Sequence, residues 1–255
     1  MSNLTDNWAI KQAILQIQGD YGDIVSVDAK KKRLLKFGRN PDIDTTNFET
    51  IWYIGGIETY PTANTIDEFR SDSGSDTQSI TIEGHTIDGS GDFTFVVQTV
   101  TLNGTSWESL TTPLARASRL YNNDSVDFNG NVQVRDNSTG DIHLSAPSGI
   151  ANNQSLKCST TISKDDYYII TQVGGGALKS SATEVEFRLK VRLKGKVFRT
   201  YFPFSSSTSG SGRAITLDPP IIIPKNSDVR IDALANNNNT PVEAFFNGYL
   251  ASIVG

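Results

Sequence analysis

The chain has 255 residues, 37% hydrophobic and 20% charged, with a formal net charge of -5. That length and balance suit one large or two modest globular domains and exclude wholesale disorder, and the apolar runs are too short for a membrane span. A single cysteine, Cys158, rules out an internal disulfide framework or a cysteine-based metal cluster, and two histidines, His85 and His143, leave little for acid–base chemistry. The expectation is a protein that is not an enzyme and uses no cofactor or metal. Charge is uneven along it: residues 51–150 hold thirteen Asp+Glu against four Lys+Arg, and residues 151–255 hold twelve Lys+Arg against eight Asp+Glu. An acidic middle and a basic end are expected either to meet, within one subunit or between copies, or to be ordinary solvated faces.

The start, MSNLTDNWAIKQAILQ, has no basic region ahead of an apolar stretch, so no secretory signal is read. Ile10, Ala13, Ile14 and Ile17 recur at helical spacing behind Trp8, with Asp6 or Asn7 available as cap, and predict a short amphipathic helix ended by Gly19 and Gly22. About two turns of helix do not hold themselves together in water, so the stripe must dock, either on the chain's own β core or on a partner. Ile24–Val27 reads as a strand, followed by a basic stripe of Lys30, Lys31, Lys32, Arg33, Lys36 and Arg39. Residues 38–61 read as an irregular connector rich in Trp, Tyr and Gly.

Strands are predicted next at Ser79–Glu83, Phe93–Leu102, Asn131–Arg135 and Asp141–Leu144, separated by Asp/Gly/Ser/Asn turns. Ala146–Asn153 reads as a linker. A second set follows: Leu156–Ile162, Tyr167–Val173, a turn at Gly174–Gly176, and Glu184–Leu193. In that last run Val185, Phe187, Leu189, Val191 and Leu193 alternate with charged residues, the mark of an antiparallel strand with one wet face. Val197–Phe202, a polar tip at Ser205–Arg213, an edge segment at Pro219–Pro224, Asp228–Leu234 and Glu243–Ile253 complete the reading. The fold class is therefore mainly β: two antiparallel β-sandwich or jelly-roll-like modules, 51–150 and 151–255, preceded by a helix and anchoring arm over 1–50.

Motifs for chemistry are weak. Asp88/Ser90/Asp92 resembles the start of a calcium loop, but Phe93 stands where the glycine belongs and Thr99 where the glutamate belongs; Asp72/Asp76 is similarly a turn. Glu58, Glu68, Glu83 and Glu108 are candidates for a glycan-cleaving pair that sequence cannot match up. No G-x-S-x-G elbow supports a serine hydrolase, and His85 and His143 are expected to face solvent. The basic stripe lacks any nucleic-acid reader motif, so nucleic acid is not the expected partner. Asn-x-Ser/Thr sequons such as Asn103-Gly104-Thr105 read as by-products of polar turns. One cysteine and one methionine also suit a protein that persists without repair.

The segments GRNPDID…FETIWYIGG…YPT (38–62), TQSITIEG (77–84), QTVTLNGT (98–105), LARASRLYN (114–122), EFRLKVRLKGKVFRTYFPF (186–204), PIIIPKNSDVRIDAL (220–234) and FFNGYLA (245–251) resemble a tailed-bacteriophage virion structural protein family. The first module is shorter and more acidic than that family's pattern. The resemblance implies a capsid decoration or cement protein in the virion, assembled in the host cytoplasm, binding the major capsid protein or another virion protein as a homo-oligomer, with a trimer expected. Trp8, Ile10, Ile14, Ile17, Lys30, Lys31, Lys32, Arg33, Lys36 and Arg39 are the expected contacts. The competing expectations are a neck, tail or fibre component meeting the host surface, and a carbohydrate-binding or depolymerising module with Trp52 or Trp107 as its platform.

Overall fold

The computed structural model describes residues 31–149, 153–179, 183–207 and 212–252. The predicted helix at Trp8–Ile17 and the strand at Ile24–Val27 lie outside the described residues. What is described is mainly β. The described residues open with β1 (Lys31–Ile43) and β2 (Glu49–Thr50). It continues through β3 (Ile66–Ser71), β4 (Ser79–Ile87), β5 (Phe93–Thr101), β6 (Glu108–Leu114), β7 (Arg116–Asn122), β8 (Val132–Asp136) and β9 (Ile142–Ala146). Then come β10 (Ser159–Ile162), β11 (Asp166–Ala177), β12 (Glu184–Arg192), β13 (Arg199–Ser207), β14 (Arg213–Ile223), β15 (Ser227–Ala235) and β16 (Thr240–Ser252). Their pairings are antiparallel throughout.

Four sheets form two sandwiches. In the middle sandwich, β6-β3-β8-β9 faces β5-β4-β7 across Ile66, Phe69, Ile80, Leu114, Leu120 and Val134. In the terminal sandwich, β1-β16-β11-β14 faces β10-β15-β12-β13, with β2 added beside β15, across Tyr168, Ile170, Phe187, Ile231 and Phe246. Each such side chain contributes about 1.5–3 kcal/mol on leaving water, so each sandwich has a core of its own.

Residues 31–50, read above as part of an arm, are strands of the terminal sandwich. β1 runs along β16 from Lys31↔Ala251 to Asn40↔Val242. From Lys31 the described chain thus starts in one sandwich, crosses to build the other, and returns at β10. Alternation along β1 explains why it belongs there, since Leu34 packs on the core and Gly38 lies against the backbone of Ile51 and Cys158 with no room for a Cβ.

Glu184–Leu193 behaves as its alternation requires, with Val185, Phe187, Leu189 and Val191 all buried in β12. Phe187 stacks on Phe204 at 5.0 Å and 10°. Its charged face is less wet than expected: Lys190 and Arg192 are ion-paired to Asp232 and Asp228 of β15, and Arg188 lies 3.8 Å over the Phe48 ring.

Gly174–Gly176 is not a turn but the last third of β11. A Cβ on Gly174 would sit 2.5 Å from the Phe245 ring, and one on Gly175 would sit 2.9 Å from the Phe187 ring. The glycines make room for two aromatic side chains rather than for a reversal.

Candidate functional site at the seam between the sandwiches

The outer side of the sheet β5-β4-β7 is the natural place to look for function, because it is covered by the other sandwich and concentrates charge. Register puts His85 of β4 opposite Arg116 of β7 and Phe95 of β5. Arg116 is 8% exposed, and its Nε donates to Asp228 Oδ1 at 3.0 Å across the seam. Its Nη1 donates to the carbonyls of Pro61 and Ala115, both at 2.6 Å. The guanidinium also lies 5.0 Å from the Tyr60 ring and 4.9 Å from the Phe93 ring.

Asp228, at the head of β15, is the hub. Oδ1 also accepts from the Thr161 hydroxyl at 2.7 Å, while Oδ2 takes both Nη2 and Nε of Arg192, at 2.6 and 3.0 Å. Burial alone would raise this carboxyl, but the charges of Arg116 and Arg192 hold it below the usual carboxylate range. Arg192 in turn covers Tyr60 at 4.4 Å and Phe198 at 4.9 Å.

A second buried pair lies deeper. Lys157 Nζ meets Glu58 Oε1 at 2.6 Å and donates to the carbonyls of Ala117 at 2.7 Å and His143 at 2.9 Å. Tyr60 donates its hydroxyl to Glu58 Oε2 at 2.8 Å. Burial opposes ionisation of Glu58, yet the charge and hydrogen bond of Lys157 keep its carboxyl below the ordinary value. At the rim, Lys194 of the terminal sandwich pairs with Asp92 of the middle one, and Asn226 donates to the same carboxylate at 2.9 Å. Asn226 Oδ1 accepts from the Phe93 backbone N–H at 2.9 Å. Between these groups and Tyr60 lies a cavity of about 330 Å³.

The acidic middle and the basic end do meet at Asp92 and Lys194. The stronger contact runs the opposite way, with the middle sandwich supplying the cation Arg116 and the terminal sandwich the anion Asp228.

The structure divides the basic stripe by strand alternation. Lys32 and Lys36 point to the inner side of β1, where Lys32 Nζ lies 5.7 Å from the Phe95 ring and Lys36 Nζ donates to the Ser118 carbonyl of the middle sandwich. Lys36 is 6% exposed, so it is a seam residue, and burial with the nearby Lys157 charge lowers its ammonium to about 8. Arg33 and Arg39 point outward, toward Asn247 at 3.3 Å and Glu243 at 3.8 Å. Lys31 pairs with Ala251 at the start of β1. Trp8, Ile10, Ile14, Ile17 and Lys30 lie outside the described residues.

Both histidines correct the expectation of solvent exposure. His85 is 3% exposed, between Phe95 and the seam, and His143 is 2% exposed beside Lys157. Burial lowers His85 to about 3 and His143 to about 4, so both rings are neutral near pH 7. Neither His85 Nδ1 nor His143 Nε2 has a hydrogen-bond partner among the described residues.

The acidic turns act as loop clasps: Asp88 Oδ1 accepts from the N–H groups of Ser90 and Asp92, and Asp76 accepts from Ser71, Asn129 and Gly130. Glu68 is held by Arg135 at 2.7 Å, and Glu108 accepts from Asn103 at 2.7 Å. Among the described residues no group of three or more His, Cys, Asp or Glu is placed to hold a metal ion. Trp52 is 4% exposed with Lys157 over its ring, and the Trp107 ring carries Arg135 at 3.8 Å and Arg70 at 4.4 Å. Burial closes Trp52 as a platform for a sugar.

No protein-family model matches this chain, and no curated protein matches it. Solved structures similar to it include the N-terminal CBM22-1-CBM22-2 tandem domain from Paenibacillus barcinonensis Xyn10C, at 12% identity and a TM-score of 0.26, covering 90% of this chain and 95% of that one. The infectious bursal disease virus Gx strain matches at 7% identity and a TM-score of 0.24, covering 90% of this chain and 73% of that one. The VP2 subviral particle of the same virus matches at 8% and 0.18, covering 90% and 74%. At these scores the likenesses carry no argument about this chain's role.

Proposed function

We propose that this chain is a non-enzymatic structural component of a tailed-phage virion, and within the virion a head decoration or cement protein. It binds the major capsid protein or another shell protein from its N-terminal side and acts as a homo-oligomer, with a trimer the expected order. The observation that supports this is the use made of charge at the seam. Arg116 to Asp228, Lys194 to Asp92, and Lys157 to the Ala117 and His143 carbonyls join one sandwich to the other, while Arg192 and Glu58 hold Asp228 and Lys157 in place. A chain that commits its buried ionisable groups to rigidity behaves as a building block, and surface complementarity then does the binding. Arg33 and Arg39 on the outer side of β1 and the residues that precede it are the contacts assigned to the shell.

The test is cosedimentation of the purified chain with undecorated heads, combined with electron microscopy of particles labelled by an antibody against residues 155–255. Label on the head and saturable cosedimentation are expected. Label confined to the neck, tail or fibres, mature particles lacking the chain, or turnover of a glycan would overturn the reading.

A further inference from the structure

An open sheet ends in edge strands, and each edge strand turns a row of N–H and C=O groups away from its neighbour. β5 is an edge of the sheet β5-β4-β7. Its register with β4 continues into the flanking loops, where the Leu102 N–H donates to the Gln78 carbonyl at 3.0 Å and the Asp88 N–H to the Asp92 carbonyl at 3.1 Å. Bonded and non-bonded pairs alternate along an antiparallel ladder, so the even-numbered residues of β5 bond to β4. The odd-numbered residues Phe95, Val97, Thr99 and Thr101 then point both backbone groups outward. Phe93 fixes the parity: its N–H donates to Asn226 Oδ1 and its carbonyl accepts from the Lys164 N–H, both at 2.9 Å. Past Phe93 the outward groups of β5 meet no partner among the described residues. Phe95 and Val97 are 41% and 55% exposed, and Thr99 and Thr101 are exposed as well.

Other edges are guarded. β1 carries Lys32, Arg33 and Pro41, β6 carries Glu108 and Pro113, β13 carries Arg199 and Pro203, and β14 carries Asp218, Pro219 and Pro220. β7 is covered, since Leu120 and Asn122 bond to the backbone of Ser155 and Asn153. Among the described edge strands longer than five residues, β5 (FTFVVQTVT) alone has neither a charge nor a proline. We infer that β5 is the interface for a second copy of this chain, the two β5 strands pairing antiparallel about a two-fold axis. In the register that uses every outward group, Phe95 of one copy lies opposite Thr101 of the other and Val97 opposite Thr99, so the two sheets become one. The ends select this arrangement. Lys164 lies beside Phe93, and Lys32 Nζ lies 5.7 Å from the Phe95 ring. At the far end, Glu108 is held by Asn103 just past Thr101, and Asp124 accepts from the N–H of Ser79, which pairs with Thr101. Antiparallel pairing brings the basic end of each copy to the acidic end of the other, and an uncharged strand meets itself without like charges face to face. The inference goes beyond the virion reading and does not rest on it. Its closed pair differs from the trimer proposed above, and mass tells the two apart.

Size exclusion with light scattering on the full-length chain, over about a hundred-fold range of concentration, tests it. The wild type is expected to run as a pair that dissociates on dilution. Thr99→Pro removes one outward donor without touching the β4 ladder, and Val97→Lys sets a charge on the open edge. Each should stay monomeric at concentrations where the wild type pairs, with an unchanged circular dichroism spectrum. Val197→Lys, at a position 73% exposed on the terminal sandwich, should still pair. A wild type that is monomeric throughout, a trimer, a species that grows without limit, or a pair that both edge variants leave intact overturns the inference. Should the edge variants fail to fold, hydrogen exchange on the wild type decides. Protection of the Phe95, Val97, Thr99 and Thr101 amides that falls several-fold on dilution supports the inference. Absent protection refutes it, and so does protection that ignores concentration, since the same chain would then be covering its own edge.

Discussion

Each sandwich is held by an apolar core, whereas the surface between the two sandwiches is held mainly by charge. Inside, Phe187, Ile231 and Phe246, or Ile80, Leu114 and Val134, need only be hydrophobic and well shaped. At the seam, Arg116, Asp228, Arg192 and Thr161 must meet at hydrogen-bond distance and in one orientation. Buried ion pairs add little net stability over a well-packed apolar contact, because desolvation offsets most of the attraction. What they supply is direction: an apolar seam tolerates sliding, while a carboxylate shared by two guanidiniums does not. The difference suggests a division of labour in which cores make each module and the seam fixes the angle between them.

The most severe way to break that division is to remove the hub. Asp228→Ala strands Arg116 without its counter-charge at a buried site, and a cost of about 3–5 kcal/mol is expected. Urea unfolding followed by fluorescence and circular dichroism should also change from one transition to two, because the modules lose their coupling before either loses its core. Phe187→Ala should cost a similar amount, about 3–5 kcal/mol, by opening a cavity in the terminal sandwich. It should do so without first separating the modules. If Asp228→Ala unfolds in one step at nearly the wild-type urea midpoint, the seam is not what holds the two together.

Much of the architecture was legible in the sequence, and the misses share a cause. Strand β12 announced itself because one of its faces is core and the other is not, so alternation is unbroken from Glu184 onward. Strands β3, β6 and β7, with sequences IDEFRS, ESLTTPL and RASRLYN, escape an alternation-based reading because polar and small residues occupy much of each. The site was less legible than the fold. Lys36 looks identical to Arg33 and Arg39 as a charge, and only the strand's parity sends it inward to Ser118. His85 and His143 look solvent-facing in local context, since nothing near them in sequence reveals that a second sandwich covers them. Tyr60, Arg116 and Asp228 carry no local signal, because the seam joins Arg116 to Asp228, more than a hundred residues away. The opposite charge balance of the two halves signals the Asp92–Lys194 contact but not the Arg116–Asp228 pair, whose charges run the other way.

Acid provides a graded test of the same contrast. His85 and His143 are buried neutral, held at about 3 and about 4 against an ordinary value of 6.5. Below pH 6.5 the unfolded chain therefore binds protons that the folded chain refuses, so stability falls as pH falls. The slope approaches about 1.4 kcal/mol per pH unit for each histidine, so the two together lose about 2 kcal/mol between pH 6 and pH 5. Asp228 and Glu58, whose carboxyls are held low, add their loss only at more acid pH. Urea midpoints measured from pH 7.5 to 5 should show the decline. His85→Gln/His143→Gln should flatten it, and an unchanged slope in that variant would show that other groups carry the proton uptake.

Glycines separate packing from backbone freedom at smaller magnitude. Gly174→Ala forces a methyl group against the Phe245 ring and the Arg213 carbonyl, 2.5 and 2.6 Å away, and should cost about 1–3 kcal/mol. Gly195→Ala meets no atom within 4 Å but sits at φ of 69°, so only the backbone objects, at about 1 kcal/mol. Thermal midpoints of the two variants, measured side by side, should keep that order.

The finest test lies along the charged side of β12 itself, where one strand runs from the seam to open surface. Arg192 is anchored on Asp228, which is 3% exposed at its side chain, and Lys190 on Asp232, which is 1% exposed. Glu186 and Arg188 pair with each other at 44% and 36% exposure. Water screens that outer pair, so Glu186→Gln should move stability by less than about 0.5 kcal/mol. Lys190→Met should cost more, because it withdraws one of the cations facing a carboxylate that water cannot reach. If all four positions tolerate neutral substitution equally, charge on β12 is only a solvated face, and the seam has no special claim on it. A cost that climbs from Glu186 toward Arg192 would show the ion pairs gaining importance as they approach the second sandwich.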